Sequence, residues 1–506
     1  MKSKLGIASL LFIIASIFLK VSGLLRDMVL AFYFGDSVEA GAYIAAFTIA
    51  NTVILFLNTG MKNALVPSYI RAAEQGNGKY HLSQVLKGTI VISAILSIAG
   101  ASLAPIYIPL FYPDITDLAE QTAITVAIIF FMSVIVVGMN SVFEAYFDAE
   151  NRFAISVVSQ IIVILSSIIS AILFADVIGV YSLAAGYGAG TILSLVIKQM
   201  FFLPKNSFSF RGKFDWLEIK TFYLIFIPVA ITVMIGQINL TVDQIFAGAF
   251  QEEAIVYINN AKNIVHFPQA IIGVTIGTII FPLLSKAQSQ NDSDLFKKGI
   301  QRGLSAMCLV LFPAIAGMMW LMPTVIEVIL LRGEFDENAA AATTTVAYFY
   351  VGSVLFFSMQ TVLNKGFYAL QKGHYILTIG AVSVGLNALL NFVLTRVLES
   401  YIGIPLASSL MALLYFAVSY VVFMKLIGRS ADSQLMKDII KILFAAAAML
   451  LILYTVRDLT STLPGIAEIA VVALLGAAVY GATVYLLKVS SFNFLLSSLR
   501  RNKGAS

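Results

Sequence analysis

Charge is scarce in this chain. Asp, Glu, Lys and Arg make up 12% of 506 residues and apolar side chains 59%, against about 25% charged in soluble domains. With a mean hydropathy of +0.92, a water-soluble globule is excluded. Cysteine is nearly missing as well. Cys308 stands alone, which excludes a disulfide framework and a cysteine metal site. The three histidines, His81, His266 and His374, are too scattered for a metal cluster. No GxxxxGK[ST] phosphate loop, nucleophile elbow or HExxH motif occurs, which makes an enzyme the weakest class for this chain. Energy for transport must come from an ion gradient or membrane potential rather than bound ATP. What the chain does have is long apolar runs, of the length helices rather than barrel strands need.

Fourteen such runs are read, at roughly 5–34, 40–70, 86–110, 119–147, 153–174, 179–203, 219–249, 254–285, 299–323, 338–370, 376–397, 401–427, 438–457 and 465–488. Several exceed the ~20 residues a bilayer needs, so tilt or extension beyond the membrane is expected. The fold class is an all-α polytopic membrane protein. Lys and Arg divide unevenly between its loops, 25 on the side of the N-terminus against Arg332, Arg396 and Arg457 on the other. By the positive-inside rule both termini are cytoplasmic. The net charge of +5 is then a topology signal, and no nucleic-acid partner is expected. Lys2 and Lys4 before the run from Leu5 to Leu19 have the form of a signal peptide, but cleavage would break the loop asymmetry, so an uncleaved first helix is expected.

The chain also repeats itself. Asp27, Ala31 and Phe34 recur as Asp243, Ala247 and Phe250 at an offset of 216, and Pro67 recurs as Pro282 at 215. Tyr146 to Phe153 echoes Tyr368 to Tyr375 at 222. Six helices separate equivalent points, so the two copies are parallel and leave the substrate path between two lobes. The expected division is an N-lobe over 1–203, a linker over 204–220, a C-lobe over 221–427, two further helices over 428–490 and a basic tail over 491–506. The linker, with Arg211, Lys213 and Trp216, suits an amphipathic segment lying at the lipid surface, and an ordinary basic connection fits it as well.

An ionisable group on a spanning helix costs about 2.5–3.5 kcal/mol on insertion scales, so it faces a cavity or a partner. The first lobe carries Lys20, Arg26, Asp27, Lys62 and Glu144 at such depths, with Asn51, Asn58 and Asn63 nearby. Two readings stand. Arg26 and Asp27 are a neutral structural pair, which needs help from another helix because adjacent side chains point apart. Alternatively Lys20, Arg26 and Lys62 form a cationic, water-filled vestibule suited to an anionic head group such as a pyrophosphate. In the second lobe, Asp243 with amide oxygens, including Asn387 and Asn391 at i, i+4, suits a Na⁺ site; an Asp243–Lys262 ion pair is the competing reading. Gly186-xxx-Gly190 and Gly273-xxx-Gly277 are spaced for close helix packing.

Lys20-Val21-Ser22-Gly23-Leu24-Leu25-Arg26-Asp27, then Phe34-Gly35 and Ala45-Ala46-Phe47 before Asn51, resembles the opening of the MurJ (MviN) lipid II flippases. These belong to the multidrug/oligosaccharidyl-lipid/polysaccharide exporter superfamily. Gln237-Ile238-Asn239-Leu240 with Asp243-Gln244-Ile245-Phe246-Ala247, Gly273-Val274 with Gly277-Thr278 and Pro282, Leu331-Arg332-Gly333-Glu334-Phe335, and Lys365-Gly366-Phe367-Tyr368-Ala369-Leu370 are similar to further blocks of that family. The resemblance implies two lobes around a cationic cavity, alternating access, and export of undecaprenyl-pyrophosphate-linked peptidoglycan precursor across the bacterial plasma membrane. It implies substrate contacts from Lys20, Arg26, Asp27, Asn51, Lys62, Lys262 and Asn263, and ion coupling through Asp243, Asn387 and Asn391. Three positions depart from the family pattern. Its basic pair on helix 2 is Ile54-Leu55 here, its acidic residue at the start of helix 2 is Gly41, and its helix 8 arginine is Asn263, beside Lys262.

The expected function is therefore a lipid II flippase, with no cofactor beyond Na⁺ or H⁺ as coupling ion. Its partners are a polyprenyl-pyrophosphate-linked glycan, membrane lipids and cell-wall synthesis proteins. Rivals are a flippase for another lipid-linked polysaccharide such as teichuronic acid or capsule, a cation-coupled multidrug exporter, and a non-transporting membrane scaffold.

Overall fold

The computed structural model describes residues 2–204, 207–210, 212–428 and 433–492. Lys205, Arg211, Arg429 and the basic tail beyond 492 lie outside the described residues. Among those described, the chain is helical with no β-strand. Its helices are α1 (Lys2–Phe34), α2 (Val38–Glu74), α3 (Gly78–Ser102), α4 (Ala104–Phe111), α5 (Asp117–Ala149), α6 (Phe153–Ile178), α7 (Tyr181–Ile197), α8 (Trp216–Ala247), α9 (Glu252–Ser289), α10 (Ser293–Leu330), α11 (Glu337–Ala369), α12 (Gly373–Leu398), α13 (Gly403–Ile427), α14 (Ser433–Thr455), α15 (Arg457–Thr460) and α16 (Gly465–Leu486). One turn of π-helix, Lys198–Phe202, continues α7. Ten of the helices, among the described residues, are long and apolar enough to cross a membrane.

Helix starts follow local chemistry. Ser37, Thr116, Asp292 and Asp336 each accept a hydrogen bond from the backbone N–H three residues on, which satisfies one of the donors a helix N-terminus leaves free. The turns between helices carry the duplication. Left-handed residues recur in order: Gly35 and Gln251, Gly76 and Asn291, Asn151 and Gln371, Gly179 and Glu399. Their offsets are 216, 215, 220 and 220. The third corrects the sequence offset of 222 at the Tyr146 block. There a shared tyrosine suggests one register, while the turn geometry sets another. Arg152 N–H bonds to Phe147 O and Lys372 N–H to Phe367 O in matching turns. Helix pairing repeats too. The pairs α3–α5, α5–α7 and α6–α7 recur as α10–α11, α11–α13 and α12–α13.

The chain forms two compact units, Met1–Asn259 with Gly333–Phe335, and Asn260–Arg332 with Asp336–Ser506. The first contains the described part of the linker and all of α8, because α8 lies along α2. Phe56 meets Phe226 edge to face at 5.1 Å, and the hydroxyls of Thr52 and Thr241 lie 3.3 Å apart. In the second unit α14 and α16 pack on α10 around Cys308, Met449 and Tyr480, and Tyr480 donates to Leu309 O at 2.7 Å.

The two glycine motifs behave differently. A Cβ on Gly186 would lie 2.4 Å from Ser170 Cβ and 2.8 Å from Ser166 O, and one on Gly190 would lie 2.9 Å from Val163 Cα, so α6 and α7 touch backbone to backbone. A Cβ on Gly273 would meet nothing nearer than Thr361 Oγ1 at 4.0 Å. Gly186→Ala should therefore destabilise by about 1–3 kcal/mol through overpacking, while Gly273→Ala should leave the thermal midpoint in detergent nearly unchanged. Equal midpoints for the two variants would refute close α6–α7 contact.

Candidate substrate and ion sites

The first unit gathers the charges that sequence places on its spanning helices, but each cation meets a different environment. Arg26 bends back along α1. Its Nη2 donates to Asp27 Oδ1 at 2.7 Å and its Nε to the same oxygen at 3.1 Å. The expectation that neighbours point apart does not hold, because the long guanidinium arm folds onto the short carboxylate. The face of the guanidinium lies 4.5 Å from the Phe47 ring centroid on α2, a cation–π contact. Phe47 in turn packs against Tyr43 and Phe130, so the Arg26 head has a salt partner and an aromatic wall.

Lys62 on α2 is held more firmly. Its ammonium lies 3.2 Å from Glu144 Oε2 and 3.7 Å from Asp148 Oδ2, both on α5. Glu144 serves a second cation, Lys198 at the end of α7, at 3.4 Å. Gln160 donates to Glu144 Oε2 at 2.8 Å and Ser159 to its Oε1 at 3.1 Å, and Lys198 also donates to Ser159 at 2.6 Å. Asp148 accepts from Ser156 at 2.7 Å. Four helices, α2, α5, α6 and α7, thus meet on one carboxylate. The side chains of Lys198 and Glu144 are 2% and 4% exposed and that of Lys62 is 24% exposed. Lys62 is the arm of this network that reaches accessible space.

A vestibule of three free cations is therefore not what the first unit contains: Arg26 and Lys62 both carry carboxylate partners. Lys20 is exposed and, among the described residues, makes no ion pair. Asn51 is half-buried; Asn58 accepts a short hydrogen bond from Ser141 of α5. Asp243 on α8 is buried in this unit. In the second unit Lys262 on α9 is buried and the adjacent Asn263 exposed, while Asn387 and Asn391 on α12 are fully buried on one helical face.

The sequence pattern of the family described as "Lipid II flippase MurJ" matches residues 30–473. The chain belongs to the lipid II flippase MurJ family. It is 24% identical over 455 residues to the "Probable lipid II flippase MurJ" of Buchnera aphidicola subsp. Acyrthosiphon pisum, covering 87% of this chain and 88% of the relative. Among solved structures, "Lipid II flippase MurJ, inward closed conformation" aligns with a TM-score of 0.80 at 22% identity, covering 94% of this chain and 98% of the other. A multidrug resistance MATE family transporter of the MOP superfamily in its inward-facing conformation aligns at 0.68 and 13% identity, covering 82% and 96%. The solved structures establish the fold.

Two departures from the MurJ pattern have local explanations. A Cβ on Gly41 would lie 2.6 Å from Glu252 O, so the close approach of the α9 N-terminus bars an acidic side chain at that point. Ile54 is buried, in keeping with its apolar character.

Sequence reading misses Asp148 and Lys198. Asp148 was legible as the i, i+4 neighbour of Glu144 on one helix face. Loop counting assigns Lys198 to the polar surface, whereas its ammonium is buried and paired. The π-helical turn that begins at Lys198 is the local irregularity that marks it. Glu144→Ala strips the buried Lys198 ammonium of its carboxylate, leaves Lys62 with Asp148 alone, and should cost about 3–5 kcal/mol. Adding Lys198→Met should recover part of that loss, a coupling that a double-mutant cycle on denaturation midpoints measures. Additive losses would show that the two residues do not act together.

Proposed function

We propose that this protein moves undecaprenyl-pyrophosphate-linked peptidoglycan precursor, lipid II, from the inner to the outer leaflet of a bacterial plasma membrane by alternating access. The observation that carries this reading is the family match across residues 30–473. The paired cations of the first unit supply a chemistry suited to the cargo. The protein is a transporter, not an enzyme, and the ten long apolar helices among the described residues make it a multi-pass membrane protein.

The finer architecture is fourteen spans in two parallel six-helix lobes plus two C-terminal helices, with both termini cytoplasmic. The loop charge asymmetry and the repeated left-handed turns support it. Lys20, Arg26 and Lys62 contact the pyrophosphate, with Asp27 and Asn51 shaping that site; Lys262 and Asn263 are the substrate contacts proposed for the second unit. An incoming pyrophosphate competes with Asp27 for Arg26 and with Glu144 and Asp148 for Lys62, so cargo exchanges one set of charge-assisted hydrogen bonds for another. Asp243 in the first unit, and Asn387 with Asn391 in the second, are the residues proposed for coupling to Na⁺ or H⁺. Two negative charges moving outward across an inside-negative 100 mV gain roughly 4.6 kcal/mol, at ~2.3 per charge.

A second reading, export of another lipid-linked polysaccharide, is favoured by the loss of the family's basic pair at Ile54-Leu55. Purified protein in liposomes, offered lipid II and lipid-linked teichuronic acid or capsule precursors in parallel, separates the two. Faster flipping of lipid II is expected, and a preference for another glycan would replace the reading. Arg26→Ala should slow lipid II flipping about tenfold or more, the worth of a charged hydrogen bond. Lys62→Met should slow it similarly. Full activity in both variants would remove the phosphate site.

A further inference from the structure

The first unit holds a second cluster of cations, away from those above, and nothing in the transport reading uses it. A cavity of about 650 Å³ opens where α3 begins and the linker ends, lined by Lys79, Lys87 and Lys213, with Tyr80, Phe214 and Trp216. Lys87 is only 5% exposed. Its ammonium donates to Gly212 O at 3.2 Å and lies 5.6 Å from the Phe214 ring centroid. Among the described residues none of the three lysines has a carboxylate partner. The acid that lines the cavity, Asp215, is already engaged. Its Oδ2 accepts from Tyr80 at 2.5 Å and its Oδ1 caps α8 through Leu217 N–H and Glu218 N–H. The first turn of α3 also lines the cavity, and its N-cap residue Asn77 makes no side-chain cap to the N–H donors there. A buried ammonium with no counter-ion among the described residues, at the wall of a cavity this large, calls for an anion.

The position says which anion. α3 is apolar enough to cross a membrane, so its first turn lies at the membrane surface. Phe214 and Trp216, which line the opening, are exposed, as are Phe210 and Leu217 beside them in sequence, and Phe214 stacks on Trp216 at 5.6 Å. Exposed aromatics at a helix end sit at head-group level, and basic pockets there bind acidic head groups. We propose that this cavity binds the phosphate head group of an acidic phospholipid, which anchors the linker to the bilayer surface.

The chain has two tryptophans, Trp216 and Trp320, so Trp320→Phe leaves Trp216 as the sole fluorescent reporter at the cavity. This variant in neutral detergent is titrated with short-chain phosphatidylglycerol, phosphatidylcholine, inorganic phosphate and undecaprenyl pyrophosphate. Phosphatidylglycerol should give a saturable change in Trp216 emission, and the other three none over the same concentrations. Lys79→Gln with Lys213→Gln, both exposed and neutral to folding, should raise the half-saturating concentration about tenfold or more. Lys87→Met should do the same, with thermal unfolding as its folding check. An equal response to phosphatidylcholine, or unchanged affinity in the Lys79/Lys213 variant, overturns the proposal. A matching response to inorganic phosphate makes the site one for a soluble anion, and a tighter response to undecaprenyl pyrophosphate makes it a dock for cargo; both overturn it too. None of these readouts requires transport, so failure here leaves the flippase reading standing.

Discussion

Glu144 carries a full negative charge into the packed interior of four helices, and the bilayer around them offers it no water. Such a charge persists only with cations and donors close by, and this one has two lysines, a glutamine amide and a serine hydroxyl within 3.4 Å. The four partners come from three other parts of the bundle: Lys62 ties in α2, Ser159 and Gln160 tie in α6, and Lys198 ties in the end of α7. Breaking such a set is expensive because it strands a charge, so the relative placement of these helices is fixed by electrostatics as much as by packing. The same constraint explains Arg26, whose guanidinium is enclosed by Asp27 on one side and Phe47 on the other.

Under the proposed function, this arrangement would also reconcile a cationic cargo site with a stable membrane fold. Free lysines and arginines at mid-bilayer would be costly when no cargo is bound. Carboxylates that hold them lower that cost and give way when a pyrophosphate arrives with more charge and more acceptor oxygens. Glu144 keeps Lys198 when Lys62 is drawn away, so the carboxylate is never left alone. Lys62, the most exposed member of the set, is the one placed to exchange partners. A multidrug exporter of organic cations would gain nothing from this excess of lysine and arginine, though its fold is closely shared.

Much of the fold was legible in the sequence because the bilayer enforces simple rules. Apolar run length predicts helices, and residue duplication at offsets of 216 and 215 reappears as left-handed turns at Gly35 and Gln251, and at Gly76 and Asn291. The Tyr146 block shows where similarity of residues fails: one shared tyrosine misplaces the register by two, and only the turn hydrogen bonds at Arg152 and Lys372 correct it. The individual charges were legible as unusual, their partners less so. Arg26 pairs with the residue beside it, which helical geometry argues against until the length of the arginine arm is considered. Lys198 looks like a loop cation because hydropathy ignores where a long side chain can turn. Asp27, Asp243, Asn387 and Asn391 are buried and Asn51 is half-buried.

The central claim is that Arg26 and Lys62 face a wet path that the cargo's pyrophosphate enters. In a variant with Cys308 replaced, a cysteine at position 26 or 62 is exposed to a charged, membrane-impermeant thiol reagent in inside-out vesicles, with and without lipid II. Modification of both cysteines, slowed by lipid II and not by a neutral glycolipid, is the predicted result. Cysteines that never react, or that react at the same rate whatever cargo is present, would contradict it.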